Sequence, residues 1–211
     1  NIAKLSTDGA PKILFYLAGI TLWNYFSSCL TATSNVFTTN ASIFGKVYFP
    51  RLIMPISIVL SNLMRFGVQM GLFLVVFVYY LFEGQVQPNW WILATPFLVF
   101  LMAVFALGMG MIFSSLTTKY RDLQMLLTFG ISLYMYATPV IYPASSLKGI
   151  FKTIAFYNPL TGIFECFKYA WLGVGDFNAP MLMISTILIF VILVIGTVTF
   201  NKVEKGFMDT V

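Results

Sequence analysis

Few side chains in this sequence could act as acids, bases or metal ligands, and those few are far apart. The chain has no histidine and only seven acidic residues, so it lacks the commonest general base and the commonest metal ligand of enzymes. The phosphate-binding pattern Gly-x-x-x-x-Gly-Lys-Ser/Thr is also absent, because Gly45-Lys46 has Asn40 at the position of the first glycine and is followed by Val47. We therefore expect no ATP hydrolysis, catalytic residue or metal site in this chain.

Glu165 and Lys168 are the clearest charge pair in an apolar stretch. Their i,i+3 spacing places them side by side on a helix. They belong to the apolar run Leu160–Leu172, which follows Asn158-Pro159 and is too short to span a bilayer. The run is typical of a re-entrant or interfacial helix, and the pair is either part of a gate or a self-neutralised patch at the membrane interface.

Arg65 is the one charge well inside an apolar segment that could cross a membrane. A mid-membrane arginine costs at least about 2.5 kcal/mol on insertion scales, so it should face protein or water. Asn62, Arg65 and Gln69 recur at helical spacing and form one polar stripe. Arg65 therefore either faces a transport pathway or reaches the cytoplasmic surface by snorkelling, while Gly67 and Gly71 on the opposite side favour close helix packing.

The composition predicts an all-α polytopic membrane protein with a single domain over residues 1–211. Hydrophobic residues make up 59% of the chain and charged residues 9%, against about 25% charged residues in soluble domains. The net charge of +5 includes no basic block, so no nucleic-acid partner is expected. Cys29 and Cys166 show no spacing motif and predict neither a disulfide nor a metal site.

Five stretches have roughly the 20 apolar residues that a transmembrane helix needs. These are Pro11–Val36, Pro55–Phe82, Trp91–Ser115, Leu123–Tyr142 and Pro180–Phe200. Short re-entrant or interfacial helices are expected before the last span, within an outer region of about residues 143–179, and one of them is the amphipathic piece Ser145–Ala155. Pro139 should kink the fourth span near the outer face.

The basic segment of about residues 40–51 contains Lys46 and Arg51 and no acid, which favours a cytoplasmic position. Residues 115–122 and the carboxyl-terminal tail then lie on the same side. This arrangement of five spans leaves Asn1 outside, so we expect a preceding helix that this sequence does not include. By composition alone the segment is a basic connector between two membrane helices.

Aromatic residues make up 18% of the chain. Those at predicted span ends are typical of the belt at lipid headgroups, whereas Trp23 and Tyr25 lie in the first span and Tyr134 and Tyr136 lie deep in the fourth. Flat rings with a hydroxyl group, such as those of tyrosine, suit stacking on sugar rings.

Four ordered blocks resemble the ABC-2 type permeases of the polysaccharide-exporting group (O-antigen and teichoic-acid export). They are Lys46-Val47-Tyr48-Phe49-Pro50-Arg51 with Leu52-Ile53-Met54-Pro55, Tyr120-Arg121-Asp122 with Ala137–Pro143, Asn158–Lys168, and Phe200…Glu204…Phe207-Met208-Asp209. The resemblance covers nearly all of the chain. It implies a six-helix permease of the bacterial cytoplasmic (inner) membrane, with the first helix absent from this sequence.

The resemblance also implies partners and roles. The permease would be a homodimer with two copies of an ATP-binding cassette subunit, embedded in membrane lipids, and it would export a lipid-linked polysaccharide. ATP and Mg would bind to the partner subunit, so this chain itself has no cofactor. The implied coupling residues are Phe44, Lys46, Tyr48, Phe49, Pro50, Arg51, Tyr120, Arg121 and Asp122. The implied channel or gate residues are Trp23, Tyr25, Arg65, Tyr134, Tyr136, Pro139, Tyr142, Asn158, Pro159, Glu165 and Lys168.

Two alternatives remain open at this point. One is an ABC-2 permease for drugs or lipids. The other is a membrane-embedded enzyme that acts on a lipid-linked sugar, for which only Glu165 and Asp122 could serve as the acid or base. Asp122 has a simpler explanation, because an acid at the start of a helix can cap it.

Overall fold

The computed structural model describes residues 7–40, 52–120, 122–175 and 177–208, with side chains as far as Val203. The described chain is helical and contains no strand. In chain order the helices are α1 (Lys12–Ser34), α2 (Val36–Thr39), α3 (Ile53–Phe82), α4 (Thr95–Lys119), α5 (Leu123–Ala137), α6 (Ile150–Tyr157), α7 (Pro159–Leu172) and α8 (Ala179–Met208). Short 3-10 turns at Trp90–Ala94 and Ala144–Ser146 precede α4 and α6.

Four helical segments of the described chain are long and apolar enough to cross a membrane. They are Lys12–Ser34, Ile53–Phe82, Trp90–Lys119 and Ala179–Val203. These segments correspond to four of the five predicted spans and confirm a polytopic all-α membrane protein. The predicted Leu123–Tyr142 span is shorter than expected, because α5 ends at Ala137 after 15 residues.

The end of α5 has a local cause. Thr138 is extended, with φ −102° and ψ 141°, because a residue before proline is disfavoured in the helical region. Pro139 was expected to kink this helix, and that prediction is wrong: the helix ends before the proline, and residues 138–143 form a separate buried connection. The carbonyls that the connection frees are available for the contacts described below.

Helices α1 and α4 form the centre of the fold, with α3 and α8 packed outside them. Glycines allow the closest approaches. A Cβ atom at Gly108 of α4 would lie 2.9 Å from the Leu193 Cα atom of α8, and one at Gly110 would lie 2.5 Å from Thr33 of α1. Small residues let membrane helices pack backbone against backbone, so α4 is held tightly between its two neighbours.

The two ends of the bundle are fixed by contacts between distant parts of the chain. At one end the Thr117 hydroxyl of α4 donates to the Ser34 carbonyl of α1, at 2.9 Å. At the other end the Ser145 hydroxyl donates to the Asp8 carboxylate, at 2.7 Å. We call the first the basic-loop end, because residues 40 and 52 flank the basic segment there, and the second the re-entrant end.

The predicted helix Leu160–Leu172 is confirmed as α7, and its surroundings are more buried than an interfacial helix requires. All residues from Leu160 to Lys168 are buried. Asn89, before α4, donates from its backbone to the Ala170 carbonyl at 2.8 Å and from its side chain to the Tyr169 carbonyl at 3.1 Å. These two hydrogen bonds hold the segment before α4 against the end of α7.

The short helix before α7 begins later than predicted. The predicted amphipathic piece Ser145–Ala155 divides into the 3-10 turn Ala144–Ser146 and helix α6. Gly149 separates the two with a positive φ of 59°, a conformation that disfavours other residues. The turn at Gly149 thereby lays α6 against α7.

Candidate functional site

Lys168 lies at the centre of a polar cluster at the re-entrant end. Its ammonium group is 1% exposed and donates to the carbonyls of Pro139 and Tyr142, the second at 3.1 Å. It also lies 3.4 Å from Glu165 Oε1 and 4.3 Å from the centroid of the Phe15 ring. One lysine thereby joins α7 to the connection after α5 and to α1.

Glu165 completes this cluster from the same helix face. Its side chain is 0% exposed, and Oε1 also accepts a hydrogen bond from the Ala144 backbone at 3.3 Å. A Cβ atom at Gly175 would lie 3.0 Å from Oε2, so a bare backbone approaches the carboxylate from the other side. The two charges lie 3.4 Å apart and both side chains are buried within this chain, so the pair neutralises itself inside the fold rather than on the surface of the chain.

Burial changes the proton affinities around this pair. It lowers the pKa of Lys168, and the neighbouring Glu165 carboxylate opposes that shift by favouring the ammonium form. Burial also raises the pKa of the Tyr142 hydroxyl, and the Glu165 charge adds to the rise. Tyr142 therefore stays neutral, and its hydroxyl donates to the Tyr136 carbonyl at 2.9 Å.

Asn158 forms a second junction at the same end. Its Oδ1 atom accepts from the Leu160 backbone at 3.0 Å, which caps α7, and from the Tyr134 hydroxyl at 2.6 Å. Its amide donates to the Thr138 hydroxyl at 3.0 Å. Pro159 follows at the first turn of α7, a position that needs no donor. Asn158 therefore ties the start of α7 to the end of α5.

The aromatic candidates divide into buried and exposed residues. Trp23 is 5% exposed and its ring centroid lies 6.0 Å from that of Tyr134. Tyr25 is 2% exposed, its ring centroid lies 5.2 Å from that of Phe66 with the two rings tilted, and its hydroxyl donates to the Val59 carbonyl of α3. Tyr136 is 67% exposed. Among the four, Tyr136 alone presents its ring to the outside of this single chain.

Arg65 is exposed and lines a polar cavity between α1 and α3 that is open to the surface of the chain. The cavity has a volume of about 770 Å³ and extends from Asn40 and Met54, beside the basic segment, to Arg65. Its other lining residues are Ser27, Ser28, Thr31, Ala32, Asn35, Thr39, Ser57, Ile58, Ser61 and Asn62. The polar stripe on α3 was predicted, but its counterpart on α1 was missed. The four-residue spacing of Ser27, Thr31 and Asn35 was the signal for it.

The predicted glycine face of α3 meets no other helix in the described chain. A Cβ atom at Gly67 or Gly71 would have nothing within 4 Å. The α3 surface around these glycines is exposed, so the close packing expected there has no partner among the residues that the structure describes.

Most predicted coupling residues lie outside the described residues. These are Phe44, Lys46, Tyr48, Phe49, Pro50, Arg51 and Arg121. Tyr120 and Asp122 are exposed at the basic-loop end, at the junction of α4 and α5. Asp122 precedes α5 but makes no side-chain capping hydrogen bond, so the expected capping role is wrong and its carboxylate is accessible at this end.

Comparisons with known proteins give the family. The ABC-2 type transporter family matches residues 2–172. The chain is 30% identical over 197 residues to the O-antigen export system permease protein RfbA of Klebsiella pneumoniae, covering 93% of this chain and 74% of that protein. It is 30% identical over 139 residues to RfbA of Myxococcus xanthus, covering 65% of this chain and 52% of that protein. It is 22% identical over 186 residues to the inner membrane transport permease YadH of Escherichia coli K12, covering 84% of this chain and 72% of that protein.

The family match covers most of the chain, from its start through α7, and the four spanning segments agree with it. This chain belongs to the ABC-2 type transporter family.

Proposed function

We propose that this chain is the membrane-spanning permease subunit of an ATP-driven exporter that moves a lipid-linked polysaccharide across the bacterial inner membrane. The carrying observation is the 30% identity to an O-antigen export permease over 93% of the chain. The polar cavity at one end and the re-entrant helices at the other are in keeping with a pathway that accepts a polar lipid headgroup and releases a long polymer.

The proposal requires a separate source of energy. The sequence has no phosphate-binding loop of its own, so ATP and Mg would bind to an ATP-binding cassette subunit, present in two copies beside a homodimer of this chain. The exposed junction at Tyr120 and Asp122, together with the basic segment of residues 40–51, forms the docking face in this proposal.

Helix α5 connects the proposed docking face to the proposed gate at the re-entrant end. It begins at the basic-loop end and ends at Thr138, where Asn158 and Lys168 hold the connection to α7. Only Leu127 and Ile131 of α5 are buried, so the helix is weakly held along its length and firmly held at its re-entrant end. A displacement at Asp122 would therefore be passed to α7 rather than absorbed by packing.

A second candidate is export of a different substrate by the same kind of permease. The likeness to the transport permease YadH, over 84% of this chain, favours this alternative. The enzyme alternative has less support, because the Glu165 carboxylate is buried and engaged by Lys168 and the Ala144 backbone.

The test is an export assay in a strain whose own O-antigen permease gene is deleted. A full-length version of this permease is expressed with a candidate ATP-binding cassette subunit from the same organism, and surface glycan and intracellular lipid-linked glycan are both measured. We expect glycan at the surface and depletion of the intracellular pool. Co-purification of the two subunits without any surface glycan would favour a different substrate, and the absence of co-purification would contradict the permease proposal itself.

A further inference from the structure

The cavity beside Arg65 combines features that packing alone does not explain. Arg65 lies twelve residues from the first residue of α3, which is about 18 Å along the helix. That position is inside a segment long and apolar enough to span the membrane. No carboxylate of the described chain pairs with Arg65, and none lines the cavity. Within the described residues Arg65 is thus a cation without a carboxylate partner, exposed on the surface of a spanning segment, where a charge that faced lipid would be costly.

The walls of the cavity have a definite hydrogen-bonding character. Ser27 and Ser57 donate their hydroxyl protons to the carbonyls of Asn24 and Ile53 on their own helices. The Asn62 amide likewise donates to an α3 carbonyl at 2.9 Å. Because these donors point inward along their helices, the oxygen lone pairs remain as acceptors for a ligand. The wall is thus rich in acceptors, and Arg65 provides the charged donor.

We propose that this cavity binds the headgroup of the lipid-linked substrate, with its phosphate on Arg65 and its first sugar against the acceptor wall. The guanidinium group suits a phosphate because it offers paired donors, and sugar hydroxyls can donate to the free oxygen lone pairs of the wall. The volume of about 770 Å³ lies within the range of about 300–1,000 Å³ for small-molecule sites. The identity of the ligand rests on the proposed function, whereas the anion site rests on the cavity itself.

The location also fits a loading site. The lining begins at Asn40 and Met54, which flank the basic segment, and ends at Arg65. A headgroup that enters here from the basic-loop end would keep its polymer on that side, and its lipid tail could lie along the exposed apolar surface of α3.

The test measures lipid binding to the purified full-length permease by native mass spectrometry. The probes are a polyprenyl diphosphate bearing one hexose, the bare polyprenyl diphosphate, phosphatidylglycerol and phosphatidylcholine. We expect the hexose-bearing diphosphate to bind at least about tenfold more tightly than either phospholipid, and Arg65→Gln to remove that difference. Arg65→Lys should keep part of the affinity, because the charge remains without the paired donors.

Two further variants make the test specific. Lys12→Gln removes an exposed cation at the opposite end of α1 and should leave binding unchanged. The double variant Ser27→Ala with Ser61→Ala should weaken binding of the hexose-bearing probe, leaving that of the bare diphosphate unchanged. Melting temperatures of all variants confirm that each compared protein is folded.

Two results would overturn the inference. The first is unchanged binding in Arg65→Gln, and the second is Arg65-dependent binding of phosphatidylglycerol as tight as that of the diphosphates, which would mark a bilayer-lipid site. The assay needs no export. If the export assay fails but Arg65-dependent binding is observed, the proposed function alone is contradicted. If export succeeds but binding does not depend on Arg65, this site alone is contradicted.

Discussion

At the scale of single residues, Lys168 decides how the re-entrant end is held. A lysine that is 1% exposed is tolerated only if its charge and its three protons find partners. Here two carbonyls, the Glu165 carboxylate and the face of Phe15 supply them. The carbonyls of Pro139 and Tyr142 are available because the helix has already ended, so the end of α5 and the burial of Lys168 depend on each other.

Replacing Lys168 by methionine is expected to destabilise the permease strongly. The change leaves the Glu165 charge buried without its cation, and breaking a buried pair from one side costs about 3–5 kcal/mol. Thermal unfolding of the detergent-purified protein would measure the loss. The double variant Lys168→Met with Glu165→Gln removes both charges and should recover part of the stability. A single variant as stable as the wild type would contradict the central place given to this pair.

At the scale of elements, the junction between α5 and α7 depends on one asparagine. Asn158→Ala removes the cap of α7 and the bonds to Tyr134 and Thr138. Loss of a cap alone costs about 1 kcal/mol, and the buried Tyr134 hydroxyl is left without its acceptor, so we expect a total of about 2 kcal/mol. Asn158→Asp is the matched control, since it keeps the acceptor for Tyr134 and Leu160. Equal losses in both variants, measured by thermal unfolding, would rule out the acceptor as the important feature.

Close packing of α4 on α8 gives a second prediction at this scale. A Cβ atom at Gly196 would collide with the Gly108 carbonyl, which is backbone and cannot turn aside. Gly196→Ala is therefore expected to force the two helices apart and to lower the melting temperature. Gly67→Ala on α3 is the control, because a Cβ atom there meets nothing within 4 Å and alanine is the better helix former. A control as damaging as Gly196→Ala would mean that α3 requires its glycine for a contact outside this chain.

The elements were more predictable than their contacts. Apolar length gave the spans, as the predicted Pro11–Val36 and the observed Lys12–Ser34 illustrate. Apolar length also predicted a fourth span that was too long. Apolar residues continue through Val140 and Ile141, but the helix has already ended before Pro139. Asn158 and Lys168 were identified as candidates, but their partners lie far away in sequence, and spacing along one helix cannot reveal them.

At the scale of the whole molecule, the two ends have different characters. The re-entrant end is closed by buried polar contacts around Asn158 and Lys168, whereas the basic-loop end presents Tyr120, Asp122 and a polar cavity. Helix α5 joins them with little packing along its length. This asymmetry suits the proposed permease, which would be driven at one end and open at the other.

Charge reversal in the basic segment tests that division between the ends. Arg51→Glu is expected to abolish export and to weaken co-purification with the ATP-binding subunit, because it places an acid where the proposed docking face is basic. An unchanged melting temperature is the control that the variant remains folded. Phe49→Ala should also uncouple the two activities, so that ATP hydrolysis continues while export is lost.

Lys12→Glu makes the same charge reversal at the opposite end of α1, where the side chain is exposed. In the proposed arrangement it should leave both docking and export intact, because Lys12 lies at the re-entrant end. Export that survives Arg51→Glu and Phe49→Ala would show that the basic segment is only a connector. Loss of export in Lys12→Glu with normal docking would instead shift attention to the re-entrant end, where Lys168 and Asn158 join α7 to the connection after α5.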